Sequence, residues 1–220
     1  VNEVSMNYMR DIARQSVEFV ENVYLPDVKA IASFYPDWFK YGGGLVRKNV
    51  LCYGDFPEIA NDWSEKSLQM PSGAIIDGKL DEVLPVDLRD PEQVQEFVDH
   101  SWYKYPEGKK GLHPWDGITD QDYGLPKGSV GTNTKFSWIG SEGKYSWIKS
   151  PRWKGHMMEV GPLARLIVSI AKDVKHFKEP ALELLKELNL PVDAIYSTLG
   201  RHAARALECR WSAHKMVQYV

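Results

Sequence analysis

Residues 145–165 constrain the fold of this chain most strongly, because they join an aromatic, extended segment to an apolar helix. Pro151 and Gly155 predict a turn between the two. Pro162 is tolerated only in the first turn of a helix, so the helix should begin near Gly161. Its apolar residues recur at helical spacing: Leu163, Leu166, Ile167 and Ile170.

This joint carries four polar side chains that we expect to lie close together: Arg152, His156, Glu159 and Arg165. Glu159 lies just before the helix start near Gly161, where the helix dipole favours a carboxylate. A buried arginine keeps its charge and needs an anionic partner, and Glu159 is the candidate partner of Arg152 and Arg165. Such a pair would lock the joint. Alternatively, these side chains support an active site contributed by other parts of the chain. For His156 we expect solvent or a hydrogen bond rather than a metal.

Helical periodicity dominates the first 40 residues. It predicts a long helix near residues 3–24 and a second helix that Pro26 opens and Pro36 ends. Residues 42–44 are three glycines, which predict a flexible loop before a strand. They lack the Gly-Lys-Ser/Thr that completes a phosphate-binding loop.

Strand and turn signals follow. Residues 45–53 are a predicted strand, and Asp77-Gly78 within residues 74–80 predicts a hairpin between two short strands. Asp90, followed by Pro91 and by Gln93, has the pattern of a capped helix start. The predicted helix presents Val94, Phe97 and Val98.

Residues 105–155 are rich in loop-forming residues and poor in periodicity. Five of the eight tryptophans lie between Trp102 and Trp153, and a disordered linker would be poor in aromatic residues. We therefore expect this irregular region to be ordered against its own core or a partner subunit. An aromatic platform for sugars or single-stranded nucleic acid is the alternative. The acidic residues among its lysines argue against it.

The sequence of the C-terminal third predicts helices. Glu179–Leu188 is one predicted helix, with Leu182, Leu185 and Leu188 on one face. Asp193 is the predicted cap of a long final helix, whose small residues allow close packing within a bundle. The fold class expected from the residues is therefore mainly α with minor β: a helical bundle, an irregular aromatic-rich region and small β-hairpins.

Composition excludes some functions. The net charge of −3 provides no basic stripe for nucleic acid. No apolar run approaches 18 residues, so we expect no direct membrane span. The chain opens and closes within helical patterns, so we expect an internal segment of a longer protein.

Catalytic and metal-binding motifs are sparse. The histidines do not form an H-E-x-x-H pattern, and Gly-x-Ser-x-Gly does not occur. The most notable histidine is His113, in the motif His113-Pro114-Trp115, because Trp115 could shield its ring from water. A structural histidine bonded to the backbone is the simpler interpretation. Cys52 and Cys209 are the only cysteines, and their sequence positions neither require nor exclude a disulfide.

Several unusual peptides, in one order, resemble the large subunit of nickel–iron hydrogenases. They are residues 145–165, Tyr53-Gly54-Asp55-Phe56-Pro57, Phe97-Val98-Asp99-His100-Ser101-Trp102-Tyr103, Gly111-Leu112-His113-Pro114-Trp115-Asp116-Gly117 and Ser197-Thr198-Leu199-Gly200-Arg201. The resemblance spans essentially all 220 residues and looks most like the respiratory uptake group. It implies that residues 1–220 are the central part of a single large-subunit domain, incomplete at both ends.

The resemblance also implies the chemistry of the complete protein. A nickel–iron centre, with cyanide and carbon monoxide on the iron, is held by four cysteine thiolates from two C-x-x-C-type pairs, and it oxidises H2. Neither pair is present here. The family's Pro-Arg-Gly arginine is expected beyond Val220, and Pro151-Arg152-Trp153 is not its counterpart. No catalytic, cofactor-binding or metal-ligating residue is therefore assigned. Supporting or structural roles are assigned to His113, Trp115, Arg152, Glu159 and Arg165.

By the same resemblance, the complete protein would form a heterodimer with an iron–sulfur small subunit. That partner would link it to a membrane cytochrome at the periplasmic face of the cell membrane; a soluble periplasmic protein is the alternative. The isolated segment would bind no cofactor and show no activity. A non-catalytic scaffold or assembly protein that kept the fold and lost the metal ligands is the alternative function.

Overall fold

The computed structural model describes residues 2–43, 48–106, 108–117, 119–122, 144 and 146–220. The chain divides into two compact units, which we call the helical unit (Val1–Pro85 with Glu159–Val220) and the sheet unit (Val86–Met158). The expectation that residues 1–220 belong to one domain stays a prediction.

The helical unit is built around its last helix. Its α-helices are α1 (Glu3–Phe19), α2 (Leu25–Phe34), α3 (Pro162–Ala171), α4 (Lys175–Glu187) and α5 (Thr198–Tyr219). A π-helix, Val20–Tyr24, joins α1 to α2, and 3-10 turns cover Pro36–Lys40 and Val192–Tyr196. α5 contacts α1, α2, α3 and α4, so it is the central element of this unit.

The start of α3 lies where the sequence predicts it. Gly161 is the N-cap residue at φ 106°, a value that favours glycine, and Pro162 occupies the first turn. The apolar face of α3 is buried against strand β1 (Val50–Cys52) and α5. Leu163, Ile167 and Val168 are each at most 2% exposed. α3 therefore forms the middle of the core.

Two short antiparallel sheets complete the helical unit. β1 pairs with β4 (Gly73–Ile75), with Leu51 opposite Ala74, and β2 (Asp55–Pro57) pairs with β3 (Leu68–Met70). The hairpin predicted across Asp77-Gly78 is wrong. Both residues do have positive φ, 53° and 71°, as a tight turn requires. However, the strand before the turn pairs with β1 and meets the chain after the turn only through an Ala74–Leu84 bridge.

The sheet unit contains a four-stranded antiparallel sheet in the order β10–β9–β5–β7. These strands are β5 (Val94–Phe97), β7 (Gly111–Leu112), β9 (Ser150–Trp153) and β10 (His156–Met157). A separate pair joins β6 (Tyr103–Lys104) to β8 (Asp120–Gln121).

The helix predicted from Asp90 is wrong, because residues 94–97 form β5 at the centre of the sheet. The Asp90 carboxylate accepts a hydrogen bond from the Glu92 N–H, which closes an Asx turn. Val94 then pairs with Trp153 of β9. An Asx turn and a helix N-cap use the same local contact, and the pairing with β9 decides between them.

Two predictions about the C-terminal helices also need correction. α4 begins at Lys175, before Glu179, and Leu182 is 38% exposed. Asp193 lies in a 3-10 turn and does not cap the final helix. Ser197 does so, because its hydroxyl accepts a hydrogen bond from the Gly200 N–H at 2.9 Å.

The region predicted to be irregular is described in part. Residues 107, 118, 123–143 and 145 lie outside the described residues. In the part that is described, Trp102 packs edge-on against Trp147 at 5.0 Å, and Trp153 is 4% exposed.

Candidate functional site

Two ion pairs form the candidate site of the helical unit: one joins the segment before α3 to α5, and the other joins α3 to α5. The backbone places the first of them. The Glu159 N–H donates to the Asn49 carbonyl, and the Glu159 carbonyl accepts from the Leu51 N–H, both at 2.9 Å. Glu159 is therefore fixed beside β1, two residues before Gly161, the N-cap residue of α3.

Glu159 binds Arg201 of α5 through two hydrogen bonds. Nε and Nη2 of Arg201 each lie 2.7 Å from a different carboxylate oxygen. Both side chains are about three-quarters buried, at 25% and 23% exposure. This bidentate geometry is the strong form of a carboxylate–guanidinium ion pair. It ties the segment before α3 to the first turns of α5.

Arg201 also donates hydrogen bonds to the loop at Gly42 and to the 3-10 turn before α5. Its Nη1 donates to the Tyr196 carbonyl at 3.3 Å and to the Gly42 carbonyl. Gly42 has φ 77°, and a Cβ there would lie 2.4 Å from the Thr198 hydroxyl. Only glycine fits this position, so the loop at Gly42 can approach the start of α5 closely.

The second pair joins Arg165 of α3 to Glu208 of α5. Nε and Nη2 of Arg165 donate to the two carboxylate oxygens at 2.8 and 2.6 Å. The bonds to Glu208 raise the pKa of the Arg165 guanidinium, with a further contribution from Asp55. Arg165 is therefore charged at neutral pH.

A buried thiol lies close to this second pair. Cys52 on β1 is 2% exposed, and burial raises the pKa of its thiol to about 11. Because the thiolate is the form that attacks electrophiles and binds metals, Cys52 is inert as placed. Cys52 and Cys209 are both free thiols, so the structure contains no disulfide between them.

The predicted pairing of Glu159 with Arg152 or Arg165 is wrong. Glu159 pairs with Arg201, and Arg165 pairs with Glu208. These partners lie 42 and 43 residues away in sequence, out of reach of any local pattern. The sequence does contain one signal for these partners, and it lies in α5. Arg201 and Glu208 are seven residues apart, so they share one helix face with small residues.

Arg152 and His156 belong to the sheet unit. The Arg152 guanidinium lies over the Phe97 ring, 5.0 Å from its centre, and donates to the Pro151 carbonyl at 3.2 Å. Burial lowers the pKa of Arg152, partly offset by the charge of Asp99. His156 is exposed on β10. Arg152 therefore contacts Phe97 and Pro151, while Glu159 and Arg165 pair with Arg201 and Glu208.

His113 uses both of its ring nitrogens in contacts with the backbone. Nε2 donates to the Leu88 carbonyl at 2.9 Å, and Nδ1 accepts from the Trp115 N–H at 3.2 Å. The side chain is buried at 8% exposure, as in a structural histidine. The Trp115 ring packs edge-on against the His113 ring, with 5.5 Å between the ring centres, while Trp115 itself is 82% exposed.

A further polar cluster, which sequence reasoning missed, joins the π-helix to α5. Glu21 accepts from Arg210 at 2.7 Å and lies 2.9 Å from Nε2 of His214. Burial raises the pKa of Glu21, but its bonds to His214 and Arg210 outweigh that effect, so the net shift is downward. This cluster holds the π-helix against α5.

The residues present do not fit a nickel–iron centre held by four thiolates. The sequence has two cysteines, separated by 156 positions and without a C-x-x-C pair. Within the described residues, no group of three His, Cys, Asp or Glu side chains is placed to hold a metal ion. In that part of the chain, too, no helix combines the length and apolarity needed to cross a bilayer. What the described residues do provide is a set of partly buried ion pairs within the helical unit.

Comparison with known proteins identifies the class. The sequence model of the nickel-dependent hydrogenase family matches residues 1–220. The chain belongs to this family, as the order of its unusual peptides predicted.

Among its relatives is the uptake hydrogenase large subunit of Rhizobium leguminosarum bv. viciae, which is 56% identical over 216 residues, covering 98% of this chain and 36% of the relative. The hydrogenase-1 large chain of Escherichia coli K12 is 48% identical over 216 residues, with the same coverage. This chain therefore spans about a third of the length of these relatives.

A solved structure agrees with the sequence comparison. The reduced, active form of the Ni-Fe-Se hydrogenase from Desulfomicrobium baculatum superposes with a TM-score of 0.61 at 29% identity. The superposition covers 94% of this chain and 38% of that chain.

Proposed function

We propose that this chain is the central part of the large subunit of an uptake-type nickel–iron hydrogenase. The complete protein would split H2 into two protons and two electrons and pass the electrons to an iron–sulfur small subunit. The observation that carries this proposal is the 56% identity to an uptake hydrogenase large subunit along 98% of the chain. With 98% of the chain covered, the match extends over both the helical unit and the sheet unit.

Within that enzyme, the role of these residues would be to hold the scaffold. Arg165–Glu208 joins α3 to α5, and Glu159–Arg201 joins the segment before α3 to α5. Each pair has two hydrogen bonds and is largely shielded from solvent. Breaking such a pair would leave a largely buried charge without its partner, which lowers the stability of the fold. The intact pairs therefore favour one packing of these elements on α5. We place these helices in the helical-bundle core of the large subunit and assign the metal ligands to other parts of that subunit.

The finer properties of the complete protein follow from the same proposal. Its metal centre would carry cyanide and carbon monoxide on the iron, and thiolates would supply the soft ligands that such metals favour. Its small subunit would carry iron–sulfur clusters and connect it to a membrane cytochrome at the periplasmic face. The names of the relatives support a second subunit, because they call the matched proteins large subunits or large chains.

The coding sequence on both sides of residues 1–220 provides the first test. We expect one C-x-x-C-type pair upstream and one downstream. We then expect the complete protein, purified with its small subunit, to contain nickel and to reduce a dye with H2.

The 220-residue chain alone is the matched control, and it should neither retain nickel nor oxidise H2. If the coding sequence contains no further cysteine pairs, the scaffold or assembly alternative replaces the enzyme. Hydrogen oxidation by the 220-residue chain alone would also overturn the proposal, since the activity would then reside in these residues.

A further inference from the structure

The sheet unit interrupts the helical unit in sequence, and the backbone of the helical unit holds both sides of the interruption. On the entry side, Leu84 and Ala74 exchange two backbone hydrogen bonds, at 2.8 and 2.9 Å. β4, which contains Ala74, pairs with β1. On the exit side, the Glu159 carbonyl accepts from the Leu51 N–H of β1 at 2.9 Å. Four adjacent backbone segments therefore fix the positions where the chain leaves the helical unit and returns to it.

The apolar core of the helical unit is built from that unit alone. Among the described residues, every member of the main buried cluster precedes Pro85 or follows Glu159. Val50, Ile75 and Ile167 are 0% exposed within it. Burial of apolar surface is the main stabilising contribution to a fold, so the helical unit has a core of its own.

A smaller set of internal contacts holds the sheet unit. Its Ser101 hydroxyl donates to the Ile148 carbonyl at 2.6 Å. Lys149 pairs with Glu96 at 3.2 Å. The buried apolar side chains in its described part are Val94, Val98, Trp153 and Met158. Because this set is smaller than the core of the helical unit, we expect the sheet unit to open at a lower free energy.

We propose that the sheet unit opens and closes as one cooperative unit while the helical unit stays folded. The fold has the parts that this motion requires: a helical unit with its own core, and pairing within that unit that holds both ends of the opening segment. Proteins open in contiguous cooperative units of this kind, each with its own free energy of opening. Residues 86–158 can then rearrange without disrupting the packing of α3 on α5. The inference does not depend on the proposed function, because it concerns the 220-residue chain alone.

Native-state hydrogen exchange of the 220-residue chain, followed by mass spectrometry at increasing urea concentration, tests this inference. The dependence of an opening reaction on urea scales with the surface that the opening exposes. We therefore expect a smaller urea dependence for peptides covering β5 and β9 than for peptides covering α3 and β1. A dependence for β5 and β9 that equals or exceeds that of α3 and β1 would overturn the inference.

Two matched hydroxyl deletions provide the second measurement. Ser101→Ala removes the bond to Ile148 in the sheet unit, and Ser197→Ala removes the N-cap bond to Gly200 in the helical unit. Both serines are 2% exposed, so the same group is deleted from equally buried sites. The Ser197 bond is kept when the sheet unit alone opens, and the Ser101 bond is lost both in that opening and in complete unfolding.

We therefore expect Ser101→Ala to speed exchange about fivefold in both sets of peptides. Ser197→Ala should speed exchange by a similar factor in α3 and β1 and leave β5 and β9 unchanged. If Ser197→Ala speeds exchange equally in both sets of peptides, the chain opens only as a whole and the inference is wrong.

Discussion

At the scale of single residues, the two ion pairs depend on the geometry of both partners rather than on their charge alone. Arg165 presents two donors to two oxygens of Glu208, at 2.8 and 2.6 Å. Lysine would supply a single compact charge and lose one of the two bonds. Removing the carboxylate instead leaves a largely buried guanidinium without its anion, which is the more costly change.

Replacing Glu208 with glutamine should therefore destabilise the chain although it preserves the shape of the side chain. The amide offers one acceptor oxygen in place of two and no charge. We expect a loss of about 1–3 kcal/mol in the free energy of unfolding. Urea denaturation of the Glu208→Gln and parent chains measures this difference.

Glu183→Gln on α4 is the matched control, because Glu183 is exposed. Its expected effect is within about 0.5 kcal/mol of zero. Equal urea midpoints for the two variants would show that the Arg165–Glu208 pair contributes nothing to stability.

At the scale of elements, the close approach of α5 to the preceding 3-10 turn depends on a single glycine. A Cβ at Gly200 would lie 2.1 Å from the Ile195 carbonyl oxygen and 2.5 Å from its carbon. These are backbone atoms within the buried 3-10 turn, so they cannot move aside as a flexible side chain can. The Gly200→Ala substitution must therefore push α5 away from the turn.

We expect Gly200→Ala to lower the free energy of unfolding by about 2–4 kcal/mol, in the range of core overpacking and lost packing. The control is Gly43→Ala, because nothing lies within 4 Å of a Cβ at Gly43. Thermal unfolding followed by circular dichroism compares the two. A Gly200→Ala chain with the melting temperature of the control would contradict the predicted clash.

The packing of α4 on β3 should make stability depend on pH. The His176 ring stacks on Trp211 at 5.8 Å, and its Nε2 lies 3.1 Å from the Gln69 carbonyl oxygen. Burial lowers the pKa of His176 below its usual 6.5, and the charge of Lys215 adds to that effect. The unfolded chain therefore binds a proton at a higher pH than the folded chain.

Because the unfolded state takes up the proton first, stability should be fully present above pH 6.5 and fall as the pH decreases toward the folded pKa. The His176→Gln variant retains a side-chain donor for the Gln69 carbonyl but does not titrate. Urea midpoints between pH 7.5 and 5 should fall more steeply for the parent chain than for the variant. Parallel profiles would assign the pH dependence to other groups.

Local signals predicted the elements whose ends are set by local chemistry. The start of α3 follows from Gly161 and Pro162, both of which act within one turn. The strand at Val94 was missed because Asp90 caps a turn and a helix equally well, and distant pairing with β9 determines the outcome. The partners of Glu159 and Arg165 were missed for the same reason, since they lie on a helix more than 40 residues away.

At the scale of the whole molecule, family membership and chemical capacity are separate properties of this chain. All 220 residues match the nickel-dependent hydrogenase family, yet the two cysteines are too few to supply four thiolates. One of the two, Cys52, is buried with its thiol protonated. Under the proposed function, these residues would therefore belong to the scaffold, and the thiolate ligands would come from other parts of the large subunit.

Titration of the folded 220-residue chain with Ni²⁺ at pH 7.5 tests this separation directly. With the pKa of Cys52 near 11, deprotonating that thiol would carry a large free-energy cost at this pH. We expect no thiolate-to-nickel charge-transfer absorption at one nickel per chain. Calorimetry should give the same weak isotherm for the parent chain and for the Cys52→Ser/Cys209→Ser double variant. A one-to-one nickel complex that absorbs in the charge-transfer region and disappears in the double variant would place a metal site within these residues and contradict the scaffold role.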